Sequence, residues 1–370
     1  MLSKEEIARY ARHIKIDGVG KEGQLKLKKA KVLVVGAGGL GCPVLQYLVA
    51  AGVGTIGVLD DDVVDVSNLQ RQILFDIDDV DKPKVERSIA KLAKQNPYVN
   101  LVPHVFRLTN TNAVDLFALY DIVIDGSDNF PTRYLVNDAC VIAGKPLVFG
   151  SIYKFEGQIS VFNYKDGPSY RCLYPTPPKN GEVANCSDIG VIGVLPGVIG
   201  TRMAAECIKI ILGLGEVLNG KLLLTDILGN KNMMLSITKK EGNLARKELD
   251  ADYEEFCGMK EEKPLGESIF ASELAQRLIK GENIILVDVR EPFEQEICLI
   301  KNSITLPLGE IPDRFEEIEL NTPVVMVCHH GMRSLSAIRF LLTKGYTNLV
   351  NLEGGIHSWA LNVDKEMPTY

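Results

Sequence analysis

The sequence predicts an α/β protein of two domains: a larger Rossmann-like one with a mostly parallel sheet, and a smaller α/β one behind it. Three observations carry this. At 370 residues the chain exceeds the ~250–300 residues at which single hydrophobic cores stop growing. Lys31–Val35 is a short apolar run rich in β-branched residues; Gly36, Gly38 and Gly41 follow in G-x-G-x-x-G spacing, and 43–51 is apolar and helix-forming. That order reads as a buried parallel strand feeding a nucleotide loop. Near the other end, the apolar Val324–Val327 runs into a cysteine and a short glycine-containing loop, with a helical pattern after it.

Composition narrows the function classes. Apolar content of 46% and charged content of 24% describe an ordinary globular protein. A net charge of −7 without a basic cluster argues against nucleic-acid binding. No stretch approaches the ~18–20 apolar residues of a membrane span, and the opening residues carry no apolar signal region. Cytoplasmic placement is therefore expected. The eight cysteines are scattered, which reads as core, metal or catalytic residues rather than a disulfide frame.

In chain order, 4–13 reads as a short helix with Ser3 as N-cap and Glu6 at the capping-box position. From pattern alone its Arg9 and Arg12 are a solvated basic face. The glycine loop aims free backbone N–H groups and a helix N-terminus at one point, which suits a phosphate. Thr55–Leu59 is a second strand ending in Asp60-Asp61-Asp62. Asp60, first after the strand, is placed to accept from a ribose hydroxyl. Ser67-Asn-Leu-Gln-Arg-Gln72 follows in a loop, and Lys82-Pro-Lys84 opens an amphipathic helix with Val85, Ile89 and Leu92 on one face. Arg71 and Lys84 read either as surface charges or, with Asn68, as partners for a triphosphate rather than a dinucleotide.

Strands are predicted over 101–105, 121–125, 146–150 and 157–162. The fourth strand runs into Gly126-Ser-Asp128-Asn129. Asp128 sits just past a strand end, where it could ligate Mg²⁺, or it could cap the helix opening at Pro131. The segment 165–188 is long, irregular and proline-rich, and Cys186 lies in its polar end as either a reactive thiol or a core residue. An apolar helix over 195–214 and strands over 221–227 and 233–237 complete the first domain, 1–240. The charged stretch 241–267 reads as a linker, and 268–370 as the second domain. There a helix over 270–279 and a strand over 284–289 lead to Asp288-Val-Arg290. Cys328-His-His-Gly-Met-Arg-Ser334 then places a thiol at the end of a strand, with a helix N-terminus and Arg333 beside it. Such a field stabilises a thiolate or persulfide anion. Four residues separate Cys328 from Arg333; tyrosine-phosphatase cradles have one more, so the shorter loop suits a single transferable sulfur.

Two resemblances follow. Residues 9–237 resemble the adenylyltransferases of molybdopterin and thiamine biosynthesis, relatives of the ubiquitin-activating enzymes. The residues carrying this are Arg9-Tyr-Ala-Arg12, Gly36-Ala-Gly-Gly-Leu-Gly41, Asp60-Asp-Asp62, Ser67-Asn-Leu-Gln-Arg-Gln72, Lys82-Pro-Lys84 and Asp125-Gly-Ser-Asp-Asn129. Residues 268–359 resemble a rhodanese sulfurtransferase domain through Asp288-Val-Arg290, Cys328 to Ser334 and Glu353-Gly-Gly-Ile-His-Ser-Trp359. The combination is similar to fused enzymes that activate ubiquitin-like sulfur carriers.

The resemblance implies ATP over Gly39, in a loop shared with Gly36, Gly38 and Gly41. It puts Asp60 on the ribose, Arg71 and Lys84 on the phosphates, Ser67, Asn68 and Asn129 close by, and Mg²⁺ on Asp128. It implies a homodimer in which Arg12 reaches into the partner's site, against the surface-charge reading. A carrier ending in Gly-Gly would be adenylated. Cys328, with Arg333 beside it, would carry a persulfide from a cysteine desulfurase, and Cys186 would sit in a crossover loop where a carrier intermediate forms. The family's two zinc C-x-x-C pairs here read Ser169-Tyr-Arg-Cys172 and Glu254-Glu-Phe-Cys257. With half the thiolates missing, structural zinc is not expected, and Cys172 and Cys257 are expected to lie close together. An NAD-dependent oxidoreductase and a non-catalytic carrier scaffold are the competing functions. The first leaves Arg71, Lys84 and the second domain unexplained.

Overall fold

The computed structural model describes residues 1–178, 190–257 and 267–370. The chain divides into two compact units, Met1–Lys260 and Glu261–Tyr370.

The first unit is built on β1 (Lys31–Val35), β2 (Thr55–Leu59), β3 (Asn100–His104), β4 (Ile122–Asp125), β5 (Leu147–Tyr153), β6 (Glu156–Phe162), β7 (Lys221–Asp226) and β8 (Lys231–Ser236), in the order β3-β2-β1-β4-β5-β6-β7-β8. The first five are parallel; β5 to β8 run antiparallel. β1 shows why its sequence is a near-continuous apolar run. Val32 and Val34 enter one core with Leu45, Leu48 and Ile199; Leu33 and Val35 enter the other with Tyr134 and Phe149. A strand buried on both faces has no polar position to alternate with. The strand order reverses between β1 and β4, and in open α/β sheets the crevice at such a reversal holds the ligand.

At the start of the chain, Ser3 caps Lys4–Arg9 in a full capping box with Glu6. The helix expected over 4–13 breaks at Tyr10 and resumes as Ala11–Ile14. Buried Glu6 accepts a 2.7 Å ion pair from Lys28.

The described part of the segment read as a linker, 241–257, is folded against the first unit. Arg171 makes two hydrogen bonds to buried Asp138 (2.8 and 2.7 Å) and a third to Asp250. Tyr253 donates to the same Asp138 at 2.8 Å. Tyr253 and Cys257 are buried, and the Phe256 ring packs on Tyr134 at 5.2 Å. Few apolar residues suffice here because the segment's charges find buried partners, which composition does not reveal.

The second unit is a five-stranded parallel sheet ordered β11-β10-β12-β13-β9, from β9 (Glu267–Phe270), β10 (Ile285–Asp288), β11 (Ile304–Thr305), β12 (Val324–Val327) and β13 (Leu349–Glu353). Val325 and Val327 face one core, Val324 and Met326 the other; period-two alternation carries Cys328 onto the second.

Candidate functional site

In the first unit a cleft of about 740 Å³ opens at the carboxyl ends of β1, β2 and β4. Gly36, Gly38, Gly39, Asp60, Ser67, Arg71, Lys84, Asp128 and Asn129 all line it. The glycines have separate reasons. A Cβ on Gly41 would sit 1.9 Å from the Gly36 carbonyl oxygen, so that glycine is imposed by the turn itself. A Cβ on Gly38 would meet nothing nearer than 3.8 Å, and on Gly39 nothing nearer than 3.4 Å. Their bareness leaves the backbone open to the cleft, as close approach of a phosphate requires.

Asp60 ties the parts of the cleft together. Its two carboxylate oxygens accept from the Ala37 N–H (2.7 Å) and the Asp62 N–H (2.9 Å), fastening the glycine loop to the end of β2. Burial pushes its pKa up, against the pull of Lys84. A carboxylate has about four acceptor sites, so two remain for a ribose. Lys84 is 5% exposed and bonds Asp62 at 2.8 Å. Arg71 donates to the Ser67 carbonyl at 3.0 Å. Asp128 is exposed at the cleft wall, and the helix Phe130–Ala143 is capped by Asn129, which accepts from the Thr132 N–H at 3.0 Å. Of the two roles the sequence left open for Asp128, the cap thus falls to its neighbour.

Three residues of the expected set lie off the cleft lining. Gly41 packs behind the loop, and Asn68 bonds Asp65 within its own turn. Arg12 is exposed on Ala11–Ile14. Sequence reading passed over Arg133. It is 7% exposed, lines the cleft, bonds Ser127 O and Ser151 Oγ, and among the described residues its Nε has no partner. Gln72 Oε1 is likewise buried at the cleft with no partner among the described residues. Orphaned buried polar atoms are costly unless a ligand or water meets them. Arg133 was legible only as the first-turn cation of the helix after Asp128, a position that usually disfavours positive charge.

In the second unit Cys328 ends β12 with 1% exposure. Gly331 N–H donates to its Sγ at 3.0 Å, and Ser334 Oγ stands 3.3 Å away. Gly331 has φ +102°, a conformation side chains rarely adopt, and it opens the helix Met332–Thr343 toward the sulfur. Arg333 does not face the sulfur as a bare cation. Both its terminal nitrogens bond Glu294 at 2.6 Å. Burial would raise Glu294, but Arg333, the Glu291 N–H and the Tyr370 hydroxyl together hold the carboxyl at about 2. Burial, then the neighbouring His330, lowers His329 to about 4. The His329 and His330 rings stack at 4.1 Å and 16°, and the ring nitrogens of His329, His330 and His357 lie within 4.8 Å of one another beside the thiol loop.

Cys186 lies outside the described residues. Cys172 and Cys257 are both buried in one core cluster. Cys172 Sγ accepts from the Lys240 N–H at 3.3 Å, and Glu254, the acid in place of a third cysteine, turns to Arg107 at 2.5 Å. Ser169 Oγ lies 3.6 Å from Cys172 Sγ, so of the four motif positions Glu254 is the one engaged elsewhere.

Comparison with known proteins gives the family of each unit. The ThiF family model matches residues 10–245 and the rhodanese-like domain model residues 270–362. The probable adenylyltransferase/sulfurtransferase MoeZ of Mycobacterium tuberculosis is 43% identical over 100% of this chain and 96% of its own. The adenylyltransferase and sulfurtransferase MOCS3 of Aedes aegypti is 42% identical over 100% and 90%. Among solved structures, E. coli MccB with ATP superposes with a TM-score of 0.55 at 25% identity, covering 63% of this chain and 71% of that one. No described helix is long and apolar enough to cross a membrane. The chain belongs to the ThiF family and carries a rhodanese-like domain behind its ThiF unit, as the adenylyltransferase/sulfurtransferases do.

Proposed function

We propose that this chain adenylates the C-terminal glycine of a ubiquitin-like sulfur-carrier protein with ATP and then converts it to a thiocarboxylate with sulfur carried on Cys328. The observation that carries this is an open cleft with bare Gly38 and Gly39, buried Lys84 and Arg133, and exposed Asp128, on one chain with a cysteine held in a strand–loop–helix cradle. Neither an oxidoreductase nor a passive scaffold accounts for both, and the relatives' names support neither.

In the first half-reaction a carrier carboxylate oxygen attacks the α-phosphorus and pyrophosphate leaves. The carboxylate is already ionised, so the site supplies alignment and charge neutralisation rather than a base. Glycine-loop N–H groups, Arg71 and Lys84 hold the phosphates, and Asp60 takes the ribose. Asp128 holds Mg²⁺, which neutralises phosphate charge when bound. Arg12 completes the site of the other subunit in a homodimer. In the second half, the terminal sulfur of the Cys328 persulfide attacks the acyl carbon and AMP leaves, giving an acyl disulfide. A thiolate attacks the Cys328 sulfur, and Cys186 is the candidate for holding a carrier intermediate. The carrier departs as a thiocarboxylate, and a thiol reductant clears the remaining disulfide. A cysteine desulfurase supplies the persulfide, in the cytoplasm. The turned-away Glu254 supports a zinc-free fold, and stoichiometric zinc in the purified protein would contradict it.

The test is ATP–pyrophosphate exchange with and without carriers ending in Gly-Gly. Carrier-stimulated exchange is expected; none with any carrier tried would overturn the reading.

A further inference from the structure

The rhodanese-like match ends at residue 362, yet Tyr370 enters the network around Cys328. Its Oη accepts from Arg290 Nη1 at 2.6 Å and donates to Glu294 Oε1 at 3.1 Å. Its ring lies 4.4 Å from that of His329, the residue after the cysteine. On one side, Arg290 is wholly buried and fixed to Asp288 at the end of β10 by bonds of 2.9 and 2.5 Å. On the other, Glu294 grips Arg333, in the first turn of the helix behind Cys328. One unbroken chain of polar contacts thus runs Asp288–Arg290–Tyr370–Glu294–Arg333. Its middle member must accept on one side and donate on the other. A phenol does both, and phenylalanine does neither. Burial pushes the Tyr370 hydroxyl up to about 12, so it keeps the proton it donates.

We propose that Tyr370 is a positioning residue for sulfur transfer: its hydroxyl holds Glu294, and through it Arg333 and the Cys328 loop, in the arrangement that accepts and passes on the sulfur, while its ring braces His329. This rests on the reading of Cys328 as the persulfide carrier. The Arg333–Glu294 pair is neutral overall, so it adds little to capture of an anionic donor from solution. What it fixes is the direction of the Gly331 N–H and the helix N-terminus at the sulfur. Loss of the hydroxyl therefore acts on turnover rather than on donor binding.

The experiment uses the full chain with thiosulfate as donor and cyanide as acceptor. Tyr370→Phe is expected to lower kcat about tenfold with KM for thiosulfate within about twofold, with unchanged ATP–pyrophosphate exchange and melting temperature. Tyr370→Leu, which also removes the ring, is expected to lose at least as much. A Tyr370→Phe enzyme with wild-type kcat would overturn the proposal, as would a loss confined to KM or one explained by a fallen melting temperature. Cys328→Ser separates the two levels. It must abolish transfer; if it does not, the persulfide reading fails whatever Tyr370 does, and the proposal fails with it.

Discussion

The two units solve the same electrostatic problem in opposite ways. Each runs a buried parallel strand into a short glycine-bearing loop and a helix N-terminus. At β1 the loop is bare and opens onto a cleft of about 740 Å³ whose lining sets Arg71, Lys84, Arg107, Arg133 and Lys154 against four aspartates, with Lys84 paired to Asp62 and Arg133 buried. At β12 the loop wraps the sulfur of a cysteine that is 1% exposed, and Arg333 beside it is neutralised by Glu294. A diffusible polyanion needs room and net positive charge to be captured. A covalently held sulfur needs neither, only N–H groups aimed at it. Loop geometry alone therefore does not report the ligand; the cavity and the charge balance around the loop do.

The comparison breaks most sharply at its two centres. Cys328→Ser is expected to reduce thiosulfate sulfurtransfer to background while ATP–pyrophosphate exchange persists. Asp128→Ala is expected to do the reverse, lowering exchange by about 10²–10³-fold, the scale for losing a key charge-stabilising group, with sulfurtransfer intact. Loss of both activities in either variant would mean the two loops are not chemically separate. A smaller effect is expected from Arg133→Lys. This keeps the charge but not the planar fork, and exchange should fall about tenfold; wild-type exchange would remove Arg133 from the site.

The smallest effect is on stability, and its sign follows from Glu294. Its carboxyl is held at about 2 in the folded protein, below the ~4.3 of a free glutamate. A depressed acid stabilises the fold above its unfolded pKa and loses that contribution as pH falls toward the folded value. The melting temperature of the sulfurtransferase unit should therefore drop between about pH 5 and pH 2. In Glu294→Gln the drop over that window should be shallower, and an unchanged slope would show that other carboxylates control it.

Much of this was legible in the sequence, for physical reasons. The strand runs at β1 and β12 are so apolar that only burial on both faces explains them, and the spacing of Gly36 to Gly41 is fixed by a turn that a single Cβ would close. Asp60, Arg71, Lys84 and Asp128 follow strand ends in order, so proximity in sequence matched proximity at the cleft. What stayed hidden depended on partners far away in the chain. Arg333 reads as a free cation until Glu294 folds against it. Residues 241–257 read as a linker until Asp138 and Arg171 meet Tyr253 and Asp250. Arg133 looks like an ordinary helix residue until its burial is seen. Asp128 reads as a cap by composition, and only the hydrogen bond from the Thr132 N–H gives that role to Asn129 instead.

The most direct test of two loops acting in turn on one carrier is intact mass of the carrier's C-terminus. The full chain would be incubated with ATP, a Gly-Gly-ended carrier and a persulfide donor. The wild-type chain should replace one carrier oxygen by sulfur; Cys328→Ser should stop at the adenylate, and Asp128→Ala should leave the carrier unchanged. Thiocarboxylate formed without ATP, or formed by Cys328→Ser, would contradict the account.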